Sequence, residues 1–333
     1  MPDRFLRPIP HSGLLPSFLR EAGRLEPFLP PFRFTSFFSP EDTLLCAVAA
    51  EPALREACSD RAEKGQASEP MRIAELTTGS GLVGLYLLGL DNESTLTGLD
   101  VDPRAVDISR ENARLLGLES RANFDRADLW SEETIALLSG HHPHLIVCNP
   151  PYVPEPPTRS LQLEAGAGPE GTAHLLRTIE LAQNLKPRAM ALSWCSLSDP
   201  EGIVSRAESI GYSLTSLFIV VIADGEYSGS VHEYLRSLPR AFLNEDAATV
   251  RRVAPDGAGS FAYLLLAGDF SLRKVDDEPM SATEAVGGLC REFAAGGFAA
   301  LEAPKAPFPV RTWLLDRWDE LRLRAFLHGE ISA

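Results

Sequence analysis

The chain has 333 residues, 44% of them hydrophobic, enough to bury a full core and to form two domains or one with large additions. Its 31 basic and 46 acidic residues leave a formal charge of -15, which excludes a global attraction to nucleic acid and leaves only a local basic groove for such a partner. The cysteines Cys46, Cys58, Cys148, Cys195 and Cys290 are far apart and form no Cys-x-x-Cys pair, which argues against a disulfide framework or a zinc site and favours a reducing, cytoplasmic setting.

The first residues alternate apolar positions with Arg4, Arg7, Pro8 and Pro10, and no later run approaches membrane-spanning length, so neither export nor membrane insertion is expected. Proline and aromatics dominate up to about residue 40, as in Phe28-Leu29-Pro30-Pro31-Phe32, a composition that packs on a neighbour and reads as a lid. A helix is expected over Glu41–Ala57, entered at Ser39-Pro40, and a polar linker over Ser59–Pro70. Together residues 1–69 form an accessory segment.

From Met71, strand-length apolar runs at Arg72–Leu76, Thr95–Leu99, Ala122–Phe124 and Leu145–Cys148 alternate with helical patterns at Gly81–Leu90 and Arg104–Leu116. A helix at Thr172–Leu185, a strand at Ala189–Ser193, a helix at Pro200–Ile210 and strands at Ser213–Ile222 and Phe261–Ala267 continue the series. The alternation predicts an α/β fold: a doubly wound, mostly parallel seven-stranded sheet of Rossmann-like type over residues 70–270. Residues 223–260 are an insertion, helical in Val231–Leu238 and placed to shape a substrate entrance. Residues 271–333 read as a helical extension, with an amphipathic helix over Thr312–Leu321 docked on the core.

Between the first strand and helix lies Glu75-Leu76-Thr77-Thr78-Gly79-Ser80-Gly81-Leu82-Val83-Gly84, a Gly-x-Gly-x-x-Gly turn. Glycines let the chain turn sharply and let a ligand approach its backbone, although a tight turn with no ligand reads the same way. Asp100 ends the second strand 21 residues beyond Gly79, the spacing at which a carboxylate accepts ribose hydroxyls. Asp102, just before Pro103, reads better as a helix N-cap. Asp128 follows the third strand and can accept an adenine amine, with Leu129 or Trp130 walling the ring, in competition with a turn role.

Both a nicotinamide dinucleotide and S-adenosyl-L-methionine fit such a loop and acid. Asn149-Pro150-Pro151-Tyr152, directly after Leu145–Cys148, separates them, because hydride transfer has no use for a rigid Asn-Pro-Pro-Tyr there. The prolines fix the geometry of the Asn149 side-chain oxygen and the Pro150 carbonyl, two neutral acceptors suited to both N–H bonds of one planar amino group. Tyr152 can stack on that planar target. The competing reading of Asn-Pro-Pro is a plain turn. His141, His142 and His144 lack a partner at ligand spacing, so no metal is expected; Trp194-Cys195 reads as core.

These four stretches, Glu75–Gly84, Gly98–Asp102 with the helix through Asn112, Ala127–Trp130 and Asn149–Tyr152, resemble the signatures of class I S-adenosylmethionine-dependent amino methyltransferases. They are most similar to the HemK-type protein glutamine methyltransferases, and Phe38–Leu45 resembles the element preceding the core in those enzymes. The resemblance spans roughly residues 37–200 and departs at Glu75, where members usually carry Asp, and at Thr77, where they carry glycine.

The resemblance implies S-adenosyl-L-methionine as cofactor, held by Glu75, Thr77, Gly79, Gly81, Asp100, Asp128, Leu129 and Asn149, with Asn149, Pro150 and Tyr152 positioning the acceptor nitrogen. It implies a protein glutamine, a translation factor among the candidates, as acceptor. A nucleic-acid adenine or guanine amine is the alternative, and a non-catalytic cofactor-binding interaction module is the alternative of another class.

Overall fold

A computed structural model describes residues 39–63, 65, 69–254, 257, 259–274 and 281–314. The expected lid, Phe38 and residues 315–321 of the expected C-terminal helix lie outside the described residues. Two compact units are present: the first holds residues 39–149 and 181–192, the second residues 150–180 and 193–314.

In the first unit, helix α1 (Pro40–Glu63) runs past the expected end at Ala57 and carries Pro52 inside it, so the linker is shorter than expected. Strands β1 (Arg72–Leu76), β2 (Thr95–Asp100), β3 (Ala122–Arg126) and β4 (Leu145–Cys148) lie in the order β3-β2-β1-β4, all parallel. Ala189–Leu192, the start of β5 (Ala189–Cys195), pairs in parallel with β4. Parallel strands are covered on both faces and so read as continuous apolar runs. In β4, Leu145, Ile146 and Val147 are fully buried, each contributing about 1.5–3 kcal/mol.

Helices α2 (Leu82–Leu90) and α3 (Pro103–Leu116) cover β1 and β2, and α1 packs on α2 and β4. The side chain of Asp102 caps α3 by accepting from the Arg104 amide, Pro103 sits in its first turn, and left-handed Gly117 ends it. Helix α4 (Glu132–His141) is absent from the expected elements, although Ser131 caps it and Glu132 and Glu133 fill its first turn. Its apolar stripe is too thin to reveal it, with only Thr134 and Leu138 buried.

The second unit continues β5 and adds β7 (Ala262–Leu272), β6 (Tyr212–Ala223) and β8 (Val310–Leu314), in the order β5-β7-β6-β8. Strand β7 is antiparallel to β6, and β8 is parallel to it. With β8 the strands among the described residues number eight, against the seven expected, and Thr312, Trp313 and Leu314 are strand where a helix was expected. Val310, Thr312 and Trp313 favour a pleated surface, and the free edge of β6 supplies the partner that overrides the helical spacing.

Residues 271–314 also form α10 (Thr283–Gly296) and α11 (Ala299–Glu302), a mixed segment and not a purely helical extension. Helix α5 (Ala173–Leu185) precedes β5, and α6 (Pro200–Ser209) joins β5 to β6. Between β6 and β7 the insertion forms α7 (Glu226–Ser230), α8 (His232–Ser237) and α9 (Ala247–Val253).

Candidate active site

Strand β1 has β2 on one edge and β4 on the other, so the chain order reverses between β1 and β4. The carboxyl ends at such a reversal are where open α/β sheets bind ligands. The glycine loop leaves β1 there and Asn149 leaves β4, with Leu76 in register with Cys148.

The loop is held at both ends. Thr78 N–H donates to the Leu99 carbonyl (2.9 Å), and Gly81 N–H to the Thr78 carbonyl (2.8 Å). Gly79 adopts φ +54°, its amide donates to Asp100 Oδ2 (2.8 Å), and a Cβ on it would meet nothing within 4 Å, so the backbone is open to a ligand. Asp100 Oδ1 accepts from the Asp102 amide (2.9 Å), and the Val101 amide also donates to the carboxylate, which leaves it capacity for a ligand hydroxyl. Burial raises the Asp100 pKa, and the amides of Asp102 and Gly79 oppose the rise.

Ser109 Oγ donates to the Gly79 carbonyl and Asn112 Nδ2 to the Ser80 carbonyl, both at 2.9 Å, bracing the loop from behind. Neither was a candidate site residue. Their sequence signal is two polar residues three apart on the buried stripe Ala105, Val106, Ser109, Asn112 and Ala113 of an otherwise amphipathic helix.

Glu75, expected to hold the cofactor, is 4% exposed and turned inward. Its Oε2 accepts from Thr78 Oγ1 (2.6 Å), and the Gly84 and Val83 amides also donate to it. Burial pushes its pKa up to about 7, against those three hydrogen bonds. Thr77 stands in the left-handed region at φ 55°, its hydroxyl donating to the Leu76 carbonyl (2.5 Å) and lying 3.7 Å from Cys148 Sγ. A β-branched residue there is strained, and glycine would not be.

Asp128 is exposed, and its Oδ1 accepts from the Trp130 amide (3.0 Å), so it does serve the turn. The Ala127 amide donates to the Asp100 carbonyl (2.9 Å), which ties the Asp128 loop to the end of β2. Leu129 is buried and Trp130 exposed, so the wall on this loop that solvent reaches is the indole.

The side-chain Oδ1 of Asn149 is buried and has no hydrogen-bond partner among the described residues. Such an atom is costly and demands a donor. In the second unit, Pro150 and Tyr152 are buried, with Tyr152 only 7% exposed. A Cβ on Gly171, at φ +70°, would stand 2.3 Å from the Tyr152 carbonyl.

The chain then turns on itself. Val153 N–H donates to the Ala165 carbonyl (2.9 Å) and Glu155 N–H to the Gly168 carbonyl (3.0 Å). The insertion lies on this loop: Tyr227 Oη donates to Gln162 and Glu164 (each 3.1 Å), and Tyr234 Oη to the Pro169 carbonyl (3.0 Å).

Other singled-out residues are structural. His144 Nδ1 accepts from the Arg72 amide (3.1 Å), His141 Nε2 lies 3.1 Å from the Ile73 carbonyl, and Trp194 packs beside Phe270 with ring centroids 6.0 Å apart. Among the described residues, no group of His, Cys, Asp and Glu could hold a metal ion, and no helix is long and apolar enough to cross a membrane.

The open glycine backbone, the spaced acids and an orphaned acceptor at one chain reversal fit an adenosyl cofactor with a nitrogen acceptor beside it. Residues 63–162 match the family model of the methyltransferase small domain. The matched region contains the glycine loop, Asp100, Asp128 and the Asn149-Pro150-Pro151-Tyr152 motif.

A release factor glutamine methyltransferase of Rhodospirillum rubrum is 42% identical over 93 residues, 28% of this chain and 27% of that one. Another so named, from Chlorobaculum tepidum, is 32% identical over 129 residues, 38% of this chain and 44% of that one. The chain thus spans less than half the length of either relative. Among solved structures, a precorrin-6y C5,15-methyltransferase from Geobacter metallireducens is 11% identical, covering 72% of this chain and 93% of its own at TM-score 0.40.

Proposed function

We propose that this chain is an S-adenosylmethionine-dependent N-methyltransferase acting on a planar amide or amino nitrogen, with a protein glutamine side chain as acceptor. The observation that carries the reading is the buried Asn149 Oδ1, without a hydrogen-bond partner among the described residues, directly after β4, where the chain order reverses beside the glycine loop. When bound, the cofactor supplies an electrophilic methyl on a sulfonium that is already an activated leaving group.

The protein's own part is binding and alignment. The Gly79–Gly81 backbone gives close approach, Asp100 accepts ribose hydroxyls, and Asp128 with Leu129 or Trp130 borders the base. Asn149 Oδ1 and the Pro150 carbonyl accept the two N–H bonds of the acceptor, which localises its lone pair on nitrogen and aims it. Holding reactants in such geometry supplies much of the rate where no strong acid or base is needed. Tyr152, mostly buried, acts as a fixed wall to the planar group.

The relatives named for release factor glutamine methylation make a translation factor the first substrate to try. Five cysteines outside any disulfide fit a reducing compartment such as the cytoplasm. Incubation with methyl-labelled cofactor and a cell lysate, followed by protease and nuclease digestion, tests the reading. Label in protease-released glutamine is expected. Label released by nuclease alone would replace the acceptor, and cofactor binding without transfer to either would leave a binding module.

A further inference from the structure

Helix α2 has no cap of its own. Its N-cap residue is Gly81, which has no side chain to accept a hydrogen bond, and its first turn holds no acidic residue. The first amides of any helix need acceptors, and an apolar, buried helix cannot take them from water. The sequence Leu82–Leu90 is buried at every position from Leu82 to Leu88.

The acceptor comes from strand β1. The Glu75 carboxylate receives the Val83 and Gly84 amides, and its Oε2 lies so close over Gly84 that a Cβ there would stand 2.6 Å from it. The same oxygen takes the Thr78 hydroxyl at 2.6 Å. Thr78 in turn pins the loop to β2 through the Leu99 carbonyl, one residue before Asp100, and the next amide, that of Gly79, bonds Asp100 itself. The nearby Asp100 carboxylate is of like sign and pushes the Glu75 pKa further up.

The geometry points to Glu75 as a positioning residue and not a cofactor ligand: from beneath, it caps helix α2 and fixes the Thr78–Gly81 turn and, through it, the carboxylate of Asp100. Aspartate, one methylene shorter, would fall short of these donors. The inference rests on the methyltransferase reading only in the choice of ligands used to test it.

Two ligands separate the roles: S-adenosylhomocysteine, which carries the amino-acid end, and 5′-methylthioadenosine, which lacks it. A residue that fixes the turn and Asp100 affects both, whereas a residue that binds the amino-acid ammonium affects only the first. By calorimetry, E75A and E75D are expected to weaken both ligands about equally, by about tenfold or more, since each leaves buried amides unpaired. E75Q keeps a neutral acceptor and is expected to stay within about threefold of the parent chain for both.

Loss of S-adenosylhomocysteine affinity alone in E75A, with E75Q as damaged as E75A, would overturn the inference in favour of direct contact. Unchanged binding of both ligands by E75A and E75D would overturn it outright. If E75A does not fold, E75D and E75Q carry the comparison. If the parent chain binds neither ligand, the methyltransferase reading fails separately. Amide exchange at Val83 and Gly84 in the apo-protein then decides: faster in E75D by about tenfold or more supports the cap, and unchanged exchange contradicts it.

Discussion

At the scale of single residues, the two departures from the family pattern flank Leu76 and have opposite characters. Thr77 is strained at φ 55°, a conformation glycine adopts freely. T77G is therefore expected to raise stability by about 1 kcal/mol in urea melts, the relief exceeding the added freedom of the unfolded glycine. Unchanged or lower stability would mean that the hydroxyl contacts with the Leu76 carbonyl and Cys148 outweigh the strain.

Glu75 carries a pH signature. The folded protein holds its proton up to about pH 7, against 4.5 for the ordinary group, so between these values the native state binds more protons than the unfolded chain. Stability is then greatest below about pH 4.5 and falls as pH rises through 7, by on the order of 3 kcal/mol from this group. Asp100, also raised by burial, adds to the fall with the same sign. Denaturant melts between pH 5 and pH 8 are expected to show the decline, reduced in E75Q. A slope identical in E75Q would assign it to Asp100 or elsewhere.

At the scale of elements, Gly98 in β2 lies opposite Phe124 in β3, and a Cβ on Gly98 would stand 2.4 Å from that ring. The ring also lies 3.1 Å from where a Gly81 Cβ would be, so the small residue in β2 is what lets Phe124 sit under the glycine loop. G98A is expected to cost about 1–3 kcal/mol by overpacking, and the double variant G98A/F124L to recover part of it in thermal melts. No recovery would mean that the Thr78 hydroxyl, 3.0 Å from the same position, is the contact that matters.

Elements with an explicit start and stop were legible: α3 has Asp102, Pro103 and Gly117, and β4 is an unbroken apolar run ending at Asn149. Helix α4 and strand β8 were not. The first shows little apolar face, and the second is set by pairing with β6, far away in sequence. Around the candidate site, the turn at Gly79 and Gly81 and the strand-end positions of Asp100 and Asn149 were legible from the apolar runs that precede them. The inward turn of Glu75 and the bracing by Ser109 and Asn112 were not, since both depend on which backbone groups the fold leaves unpaired.

At the scale of the whole molecule, the first unit contains Gly79, Asp100, Asp128 and Asn149, while the second contains Pro150, Tyr152 and the loop that the insertion covers through Tyr227 and Tyr234. Burial, with help from the Glu164 carboxylate, pushes the Tyr227 phenol up to about 12, so it stays a neutral donor throughout the physiological range. Y227F is expected to loosen the 153–171 loop and to raise KM for the acceptor while leaving S-adenosylhomocysteine affinity unchanged, as read by steady-state kinetics beside calorimetry. An equal loss for both ligands would contradict that division.

In the proposed reaction, Asn149 presents an acceptor nitrogen to a methyl donor. The most direct test of this role is transfer of a labelled methyl from S-adenosyl-L-methionine to a glutamine-containing translation-factor fragment by the parent chain and by N149A. Label is expected on the glutamine side-chain nitrogen with the parent, and a rate lower by about 100-fold in N149A at saturating S-adenosyl-L-methionine. Equal labelling by N149A, or label on another atom, would contradict it.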